Sequence, residues 1–480
     1  MEQQRFAKDG PLYQQVSAWV EDHRQQLVED IVRLVNIRSV AQPQGELPYG
    51  QGCRDALEEM LAMGRRYGMT AHNYDGRCGG LWWEEKQSTV GLWGHLDVVP
   101  EGDNWQNSPY QAVEKQGYLI GRGVQDNKGP AVACLYVMRC LRDLGLPLRH
   151  GVKLMVGCDE ERGMTDVDYF RANYPCPQLN LVADCNFPVC YGEKGIIEAE
   201  LVARAPLSAA VKDFTGGVAG NMVPDSAALT LQNSQALWGQ LQEQTQGKPE
   251  FALTQQGGEI RLRAFGISKH TASPEGGRNA ILLLSQAAAG LAALPEEDRA
   301  LLRFLNQVNG DFAGTGLSIA CADQESGALT CVGSMLHLEQ GRPALHVNIR
   351  YPVTVDSAGL LRSMERACNE NGYALRLIRD SAPNYYPKEN PVVGALTQVY
   401  NSLTGAQSAP YVMGGGTYAR RLPNAVAYGM GGLPEQRPQG LFAPGHGGGH
   451  EPDEGLCIAN LLEAIKIYVI SILAIDELDY

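Results

Sequence analysis

The chain has 480 residues, is 44% hydrophobic and 7% aromatic, and carries a formal net charge of −14. This length predicts at least two domains with large cores, and the composition is that of a globular protein rather than a disordered or collagen-like one. Nucleic-acid binding depends on clustered lysines and arginines, and we find no such cluster, so the negative charge argues against a nucleic-acid partner.

Three features bear on where the protein acts. The first residues, MEQQRFAKDGPLYQQ, lack the basic end and apolar core of a secretory signal, so we expect a cytoplasmic protein. Twelve cysteines, scattered from Cys53 to Cys457 without a CxxC pair, predict buried thiols rather than a disulfide framework. The most apolar stretch, Ile467 to Ile475, is too short to span a bilayer, which predicts a core helix and no membrane partner.

The chain opens with a predicted helix whose apolar residues recur on one face at the 3.6-residue period. These residues are Val16, Trp19, Val20, Leu27, Ile31, Leu34 and Val35. The next clear element, residues 89–99, predicts a buried strand whose end carries His95 and Asp97. Alternate residues of a strand point to the same side, so these two side chains should share a face.

Further acidic residues follow other predicted elements. Asp126 lies in a polar turn that precedes an apolar helix over 131–141. Glu160 and Glu161 follow a strand over 152–156, and Asp184 follows a strand over 179–183. Ligand sites of open α/β sheets lie beyond the carboxyl ends of the strands, so these groups should converge on one crevice.

Nitrogen and oxygen donors of this kind suit zinc, manganese or cobalt. The candidate ligands are His95, Asp126, Glu161, Asp184 and, from a late glycine-rich loop, His450. Five ligands suffice for two ions about 3.5–4 Å apart if one carboxylate bridges them, and we assign that role to Asp126. Asp97 is expected to accept the second ring N–H of His95. Glu160, which is next to a ligand but not needed as one, is the candidate general base.

Each of these features also has a simpler explanation. A His-x-Asp pair arises by chance in strands, and an Asp-Glu-Glu run is commonly a solvated loop or a helix start. The glycines before His450 can form a flexible surface loop. The recurrence of suitable donors at successive strand ends, separated by apolar segments, favours a metal site.

As a set, three motifs resemble the aminoacylase/carboxypeptidase G/succinyl-diaminopimelate desuccinylase family of metallopeptidases. They are Gly94-His95-Leu96-Asp97, Gly121-Arg122-Gly123 with Asp126, and Asp159-Glu160-Glu161. The resemblance covers nearly the whole chain, and the segments 191–195 and 216–224 resemble the peptidase V-like dipeptidase branch. It implies an α/β fold with a zinc-exopeptidase-like three-layer catalytic domain (residues 1–195 and 388–480) and an inserted α+β lid domain (residues 196–387).

The resemblance also assigns substrate-binding residues. His270 matches the lid histidine that stabilises the oxyanion, and a long lid can supply it in cis. Arg350 matches an arginine that binds the substrate carboxylate, for which a planar guanidinium is suited. Asn221 is a candidate neutral donor, and Gly415 and Gly416 belong to a glycine turn that would line the pocket. The alternatives are a surface histidine, an edge-strand surface arginine and a plain turn asparagine.

The sequence departs from the family pattern at three places. His446 competes with His450 as the last ligand, and His450 is preferred because a glutamate follows it four residues later, as in the branch's final motif. Asn127 stands where many relatives have a second aspartate, which need not cost a ligand. Asp184 stands where many relatives have glutamate, and aspartate there resembles the dipeptidase and aminopeptidase side of the family.

The resemblance implies a metal-dependent dipeptidase that hydrolyses dipeptides or small peptide-like substrates through a metal-activated water. An N-acyl amino acid hydrolase of the same family remains the alternative, because it would share every metal ligand. A non-catalytic binding protein on this fold is a third reading. The implied cofactors are two divalent ions, zinc first, with manganese or cobalt as alternatives. The long lid favours a monomer and leaves a homodimer open.

Overall fold

A computed structural model describes residues 7–479, so the first six residues of the segment inspected for a secretory signal lie outside the described part. The helices are α1 Pro11–Asp22, α2 Arg24–Val35, α3 Gln51–Arg66, α4 Lys128–Asp143, α5 Thr165–Asn173, α6 Gln235–Thr245, α7 Ala280–Ala289, α8 Glu296–Asn309, α9 Ser357–Glu370, α10 Pro391–Thr404 and α11 Ile458–Ile475. The strands are β1 Thr70–Tyr74, β2 Cys78–Trp82, β3 Thr89–His95, β4 Val113–Lys115, β5 Tyr118–Ile120, β6 Gly151–Gly157, β7 Leu179–Val182, β8 Cys185–Asn186, β9 Cys190–Glu193, β10 Gly195–Ala203, β11 Val211–Gly216, β12 Ser226–Gln232, β13 Phe251–Gln256, β14 Glu259–Phe265, β15 Ala322–Asp323, β16 Gly327–Ala328, β17 Thr330–Glu339, β18 Arg342–Tyr351, β19 Tyr373–Ser381, β20 Asn384–Tyr385, β21 Tyr411–Met413, β22 Ala425–Ala427, β23 Met430–Gly431 and β24 Gly455–Cys457.

The chain divides into two compact units. Unit 1 comprises the described residues up to Gly192, Tyr385–Tyr411, and the described residues from Gly416 onward; unit 2 comprises Glu193–Asn384 and Val412–Gly415. The predicted domain boundaries were after 195 and 387, whereas the units meet after 192 and 384. The short segment 412–415, expected in the catalytic domain, belongs to unit 2, so the division separates Gly415 from Gly416.

The main sheet of unit 1 contains a parallel centre. Its strands run in the order β1-β2-β6-β3-β7-β22-β9. Strand β3 pairs in parallel with both β6 and β7, and β22 pairs in parallel with β7. Parallel strands present their carboxyl ends at one edge of a sheet, so the loops that follow β3, β6 and β7 emerge together.

Helices cover both faces of this sheet. Neighbouring residues of a strand face opposite sides. The Trp93 ring packs edge-on against Phe170 of α5, with ring centroids 5.4 Å apart. A Cβ at the next residue, Gly94, would lie 3.1 Å from that of Ala131 in α4. Unit 1 is therefore a three-layer α/β domain.

The single opening helix predicted from Val16 to Val35 is wrong in one respect, because the helix is interrupted at His23 and forms α1 and α2. The His23 ring stacks on Trp19, with centroids 3.9 Å apart, and its Nδ1 lies 2.7 Å from the Trp19 carbonyl oxygen. A side chain that bonds the backbone of the preceding turn competes with the helical pattern. The predicted apolar face is buried on both helices.

The apolar C-terminal segment forms α11, and 78% of its 18 residues are buried inside the protein. Its length and mean hydropathy of 1.9 would also suffice for a membrane crossing. Burial against α4 and α10 agrees with the predicted core helix. The cysteine prediction is confirmed as well: within residues 7–479 no disulfide joins the cysteines, and most of them are buried.

Unit 2 is built on an antiparallel sheet in the order β13-β14-β12-β11-β17-β18-β10-β19. Apolar and charged residues alternate along β10, which leaves one face of the sheet apolar. Ile197, Ala199 and Leu201 lie in the core. Glu198 and Glu200, which lie between them, do not. Helices α7, α8 and α9 supply further residues of the same core. Unit 2 is an α+β domain, as expected for the insertion.

Candidate metal centre

The predicted ligands of unit 1 come together at the carboxyl edge of its parallel strands. His95 is the last residue of β3, Glu160 and Glu161 follow β6, and Asp184 follows β7. Asp126 precedes α4, whose N-cap is Asn127. The convergence follows from the parallel pairing, which brings the three strand ends side by side.

His95 is buried at the centre of this cluster. Its Nε2 lies 2.9 Å from Oδ1 of Asp126 and 3.8 Å from Oδ2 of Asp184. Its Nδ1 lies 2.9 Å from the backbone oxygen of Asp97. A carbonyl can only accept, so Nδ1 carries the proton and Nε2 presents its lone pair to the cluster.

Asp126 contacts two imidazoles with two different oxygens. Oδ1 faces His95, while Oδ2 lies 3.1 Å from Nε2 of His450. The same His450 nitrogen lies 3.0 Å from Oε1 of Glu161. Each oxygen of Asp126 therefore faces a different imidazole, as the bridging role predicted for this residue would require.

Donor atoms group in two overlapping sets, within each of which all lie within 4.8 Å of one another. One set is His95, Glu160 and Asp184, and the other is His95, Asp126 and Glu161. Glu160 is therefore close enough to act on a molecule held in the cluster. One of its oxygens, Oε1, is buried without a hydrogen-bond partner among the described residues.

Electrostatics of the cluster reflect an excess of carboxylates. Burial and the nearby charge of Asp184 raise the pKa of Glu160 well above its usual value, and burial with Asp126 raises that of Glu161. Hydrogen bonds to Asp126 and Glu161 raise the pKa of His450 to about 11. Burial lowers the pKa of His95, but hydrogen bonds to Asp126 and Asp97 outweigh it and leave the pKa well above its usual value. The excess of negative charge at the cluster is the field that a bound metal ion would experience.

Asp97 contacts His95 most closely through its backbone oxygen, whereas the prediction assigned that contact to its carboxylate. The distance from His95 Nδ1 to the carboxylate Oδ1 of Asp97 is 3.4 Å, whereas the distance from the same nitrogen to the backbone oxygen of Asp97 is 2.9 Å. The carboxylate instead accepts the backbone N–H groups of Glu160 (3.2 Å) and Glu161 (3.1 Å). Asp97 lies beyond the end of β3, so strand alternation does not set its direction. It fixes the turn that carries the candidate base.

The two histidines of the glycine-rich loop, His446 and His450, contact different residues. His446 Nδ1 is 2.6 Å from Oδ2 of Asp453, which also accepts the backbone N–H groups of Gln106 and Asn107. His450, by contrast, contacts Asp126 and Glu161. The structure therefore brings His450, and not His446, to the cluster.

Two supporting residues were not predicted. Asn127 accepts the backbone N–H of His95 at 3.2 Å and donates to Oδ1 of Asp184 at 3.2 Å, so it joins two strand ends. Asp166 accepts the N–H groups of Cys158 and Asp159 and the hydroxyl of Tyr418. The signal for Asn127 was present in its place beside Asp126, but Asp166 lies in a helix with no motif to mark it.

The predicted substrate residues of unit 2 differ in their surroundings. Arg350 is only 6% exposed and lies in β18, which is flanked by β17 and β10. The alternative of an edge-strand surface arginine is therefore wrong. Its Nε donates to Oδ1 of Asn348 at 3.0 Å and its Nη1 to the Gly414 oxygen at 3.3 Å.

Asn221 and His270 are exposed and lie on adjoining loops of unit 2. The backbone N–H of Thr271 donates to the backbone oxygen of Asn221 at 2.9 Å. Met222 and His270 form an isolated antiparallel β-bridge. The Nδ1 of His270 accepts the N–H of Ala272 at 3.2 Å. A neutral imidazole held in this way carries its proton on Nε2.

The two glycines of the predicted pocket turn differ in their surroundings. A Cβ at Gly416 would lie 2.3 Å from Nε of Arg420, so the end of that flexible side chain would have to move. A Cβ at Gly415 would make only an ordinary contact, 3.9 Å from Sδ of Met413. Only Gly415 is left without a packing explanation.

Comparison with known proteins identifies the family of this chain. The model of peptidase family M20/M25/M40 matches residues 91–474. "Putative dipeptidase YtjP" of Bacillus subtilis (strain 168) is 32% identical over 463 residues, covering 93% of this chain and 96% of the relative. The dipeptidase Dug1p from Saccharomyces cerevisiae has a similar structure (TM-score 0.58, 14% identity, 98% and 99% of the two chains covered), as does human carnosine dipeptidase 1 (0.55, 15%, 97% and 99%). The chain belongs to peptidase family M20/M25/M40.

Proposed function

We propose that this protein is a metal-dependent dipeptidase whose unit 1 cluster holds two divalent ions. The observation that carries the proposal is Asp126, whose two oxygens face His95 at 2.9 Å and His450 at 3.1 Å. The relative of this protein in Bacillus subtilis, YtjP, is named as a putative dipeptidase. Dug1p and carnosine dipeptidase 1 have the same fold as this protein. These resemblances support a small peptide as the substrate.

The donor set fits divalent ions. Imidazole nitrogens and carboxylate oxygens are the ligands of zinc, manganese and cobalt in hydrolases. A cation also fits the charge of the cluster, because four carboxylates (Asp126, Glu160, Glu161 and Asp184) crowd around two imidazoles. We propose His95, Asp126, Glu161, Asp184 and His450 as ligands, with Asp126 as bridge and zinc as the preferred ion.

The reaction follows from the placement of this chain's own groups. Two bound ions would polarise the scissile carbonyl and lower the pKa of the attacking water. Glu160 takes a proton from that water and passes it to the leaving amine. Asp97 holds the backbone of Glu160 and so fixes the position of the base.

Unit 2 is proposed to recognise the substrate. His270, with its proton placed on Nε2, would donate to the developing oxyanion, and Asn221 would add a neutral donor. Arg350 would bind the free carboxylate through its planar guanidinium, and Gly415 and Gly416 would admit the peptide backbone. We further propose that the chain acts as a cytoplasmic monomer, because a long insertion can supply His270 in cis.

A hydrolysis panel tests the proposed activity. Dipeptides, tripeptides and N-acetyl amino acids are offered to enzyme loaded separately with zinc, manganese or cobalt. We expect metal-dependent hydrolysis with dipeptides preferred. Turnover of N-acetyl amino acids alone would identify a deacylase instead, and no turnover of any substrate by metal-loaded protein would support a binding protein.

The assignment of the last ligand is tested by replacing each of the two histidines of the glycine-rich loop with alanine in turn. His450→Ala removes a nitrogen that faces both Asp126 and Glu161, so bound metal measured by mass spectrometry should fall. His446→Ala is the matched control, because that ring bonds to Asp453, and it should keep its metal. The opposite pattern would assign His446 as the ligand.

The roles of the adjacent glutamates are tested by the same conservative change at each position. Glu160→Gln should keep both ions yet lower kcat by about 10²- to 10⁴-fold, the usual contribution of a general base. Glu161→Gln should instead lower metal affinity, because Glu161 is a proposed ligand. Metal content is measured alongside turnover. Full activity of the Glu160→Gln variant would rule out this base.

Carboxylate recognition is tested with Arg350→Lys, which keeps the charge but loses the planar fork. We expect kcat/KM for unmodified dipeptides to fall roughly 10- to 100-fold, the range of a charge-assisted hydrogen bond, and to change little for C-terminally amidated ones. Arg376→Ala, a solvent-exposed arginine of the same unit, serves as the control. An equal loss on both substrate types would contradict the role of Arg350.

A further inference from the structure

The Gly121-Arg122-Gly123 motif places an arginine in the interior of unit 1, where it forms an ion pair with Glu454. Nη1 of Arg122 lies 2.8 Å from Oε2 of Glu454, and the two side chains are 1% and 0% exposed. Neither residue belongs to the donor sets of the cluster. The function proposed above leaves both side chains without a role.

Glu454 binds the backbone of the turn that leads to Asp126. Its Oε1 accepts the N–H groups of Gln125 at 2.8 Å and Asp126 at 3.0 Å. Its Oε2 accepts the N–H of Gly123 at 3.0 Å. Both oxygens of this one side chain therefore hold the turn from which the bridging carboxylate projects.

Arg122 binds the loop that carries His450. Its Nη2 lies 3.4 Å from the backbone oxygen of His450 and 3.3 Å from that of Glu101. The guanidinium also stacks over the Trp105 ring, 5.0 Å from the ring centroid. A planar group with several fixed donors can tie such separate segments together, which an ammonium does less well.

We propose that the Arg122–Glu454 ion pair positions the metal centre by setting where Asp126 and His450 meet. Glu454 accepts the backbone N–H of Asp126, and Arg122 donates to the backbone oxygen of His450. The side chains of Asp126 and His450 lie 3.1 Å apart, from Oδ2 to Nε2. Glu454 and Arg122 are positioning residues. The inference rests on the proposed metal-dependent function.

The burial of the pair supports this role over simple stabilisation. Removing two charges from water is costly, and a buried ion pair often stabilises a fold no better than apolar residues would. What this pair adds is geometry, because it joins segments from distant parts of the sequence at one point. Residues that orient metal ligands from behind usually change metal affinity when they are replaced.

The test compares two buried carboxylates of unit 1. Glu454→Gln keeps the shape of the side chain but turns an amide NH2 toward groups that are themselves donors. Asp476→Asn is the matched control: Asp476 accepts the N–H groups of Arg149 (2.6 Å) and His150 (2.8 Å), just before β6 begins and at the opposite end of that strand from Glu160. Both variants should lower the thermal transition of the metal-free protein.

Zinc affinity is measured by competition with a chromophoric chelator, and the visible spectrum of the cobalt-loaded protein reports ligand geometry. We expect Glu454→Gln to weaken zinc binding about 10- to 100-fold and to alter the cobalt bands. Asp476→Asn should leave both unchanged. Arg122→Lys, a milder change that retains the charge opposite Glu454, should also weaken zinc binding and alter the cobalt bands.

Two results would overturn the inference. Wild-type zinc affinity and cobalt spectra in both Glu454→Gln and Arg122→Lys would reduce the pair to a structural support. Equal weakening by Asp476→Asn would attribute the effect to general instability. Failure of the wild-type protein to bind any of the ions is a different result, since it would overturn the proposed function and the inference together.

Discussion

Parallel pairing of β6, β3 and β7 is the constraint on which the candidate site depends. Because the three strands run in one direction, their carboxyl ends meet at one edge, and candidate ligands lie at each end or within a few residues after it. His95, Glu161 and Asp184 owe their proximity to this pairing. A slip of one residue in the register of any of these strands would move its side chains to the opposite face of the sheet.

Carboxylates act in two distinct ways around that edge. Asp126, Glu160, Glu161 and Asp184 turn their oxygens toward the imidazoles. Three further acidic residues accept backbone N–H groups from the loops that carry Asp126, Glu160 and Glu161. They are Asp97, Asp166 and Glu454. The second group is buried behind the first, so an acidic cluster is held in place largely by other acids. Such networks rigidify a site only when their hydrogen bonds are satisfied, and here the backbone supplies the donors.

The two units follow different structural rules. Unit 1 has a parallel centre with helices on both faces, which suits a site at strand ends. Unit 2 has an antiparallel sheet, and its proposed substrate residues come from two places in it: Arg350 from an interior strand, and Asn221 and His270 from exposed loops. The arginine is buried between two strands, whereas the two loop residues are exposed.

By itself the sequence predicted the buried strands and the residue types of the cluster, because apolar periodicity and polar residues after buried runs are local signals. The fold class followed from the resemblance that its three motifs carry. Tertiary structure decided what local signals cannot carry. It brought His450, which the sequence already favoured over His446, to Asp126 and Glu161, both hundreds of residues away along the chain. It divided α1 from α2 at His23, and it buried Arg350 between two strands. It also gave Arg122 and Glu454 a joint place behind the cluster. A hydrogen bond between segments distant in sequence leaves no periodic trace in either one, so only the folded chain reveals it.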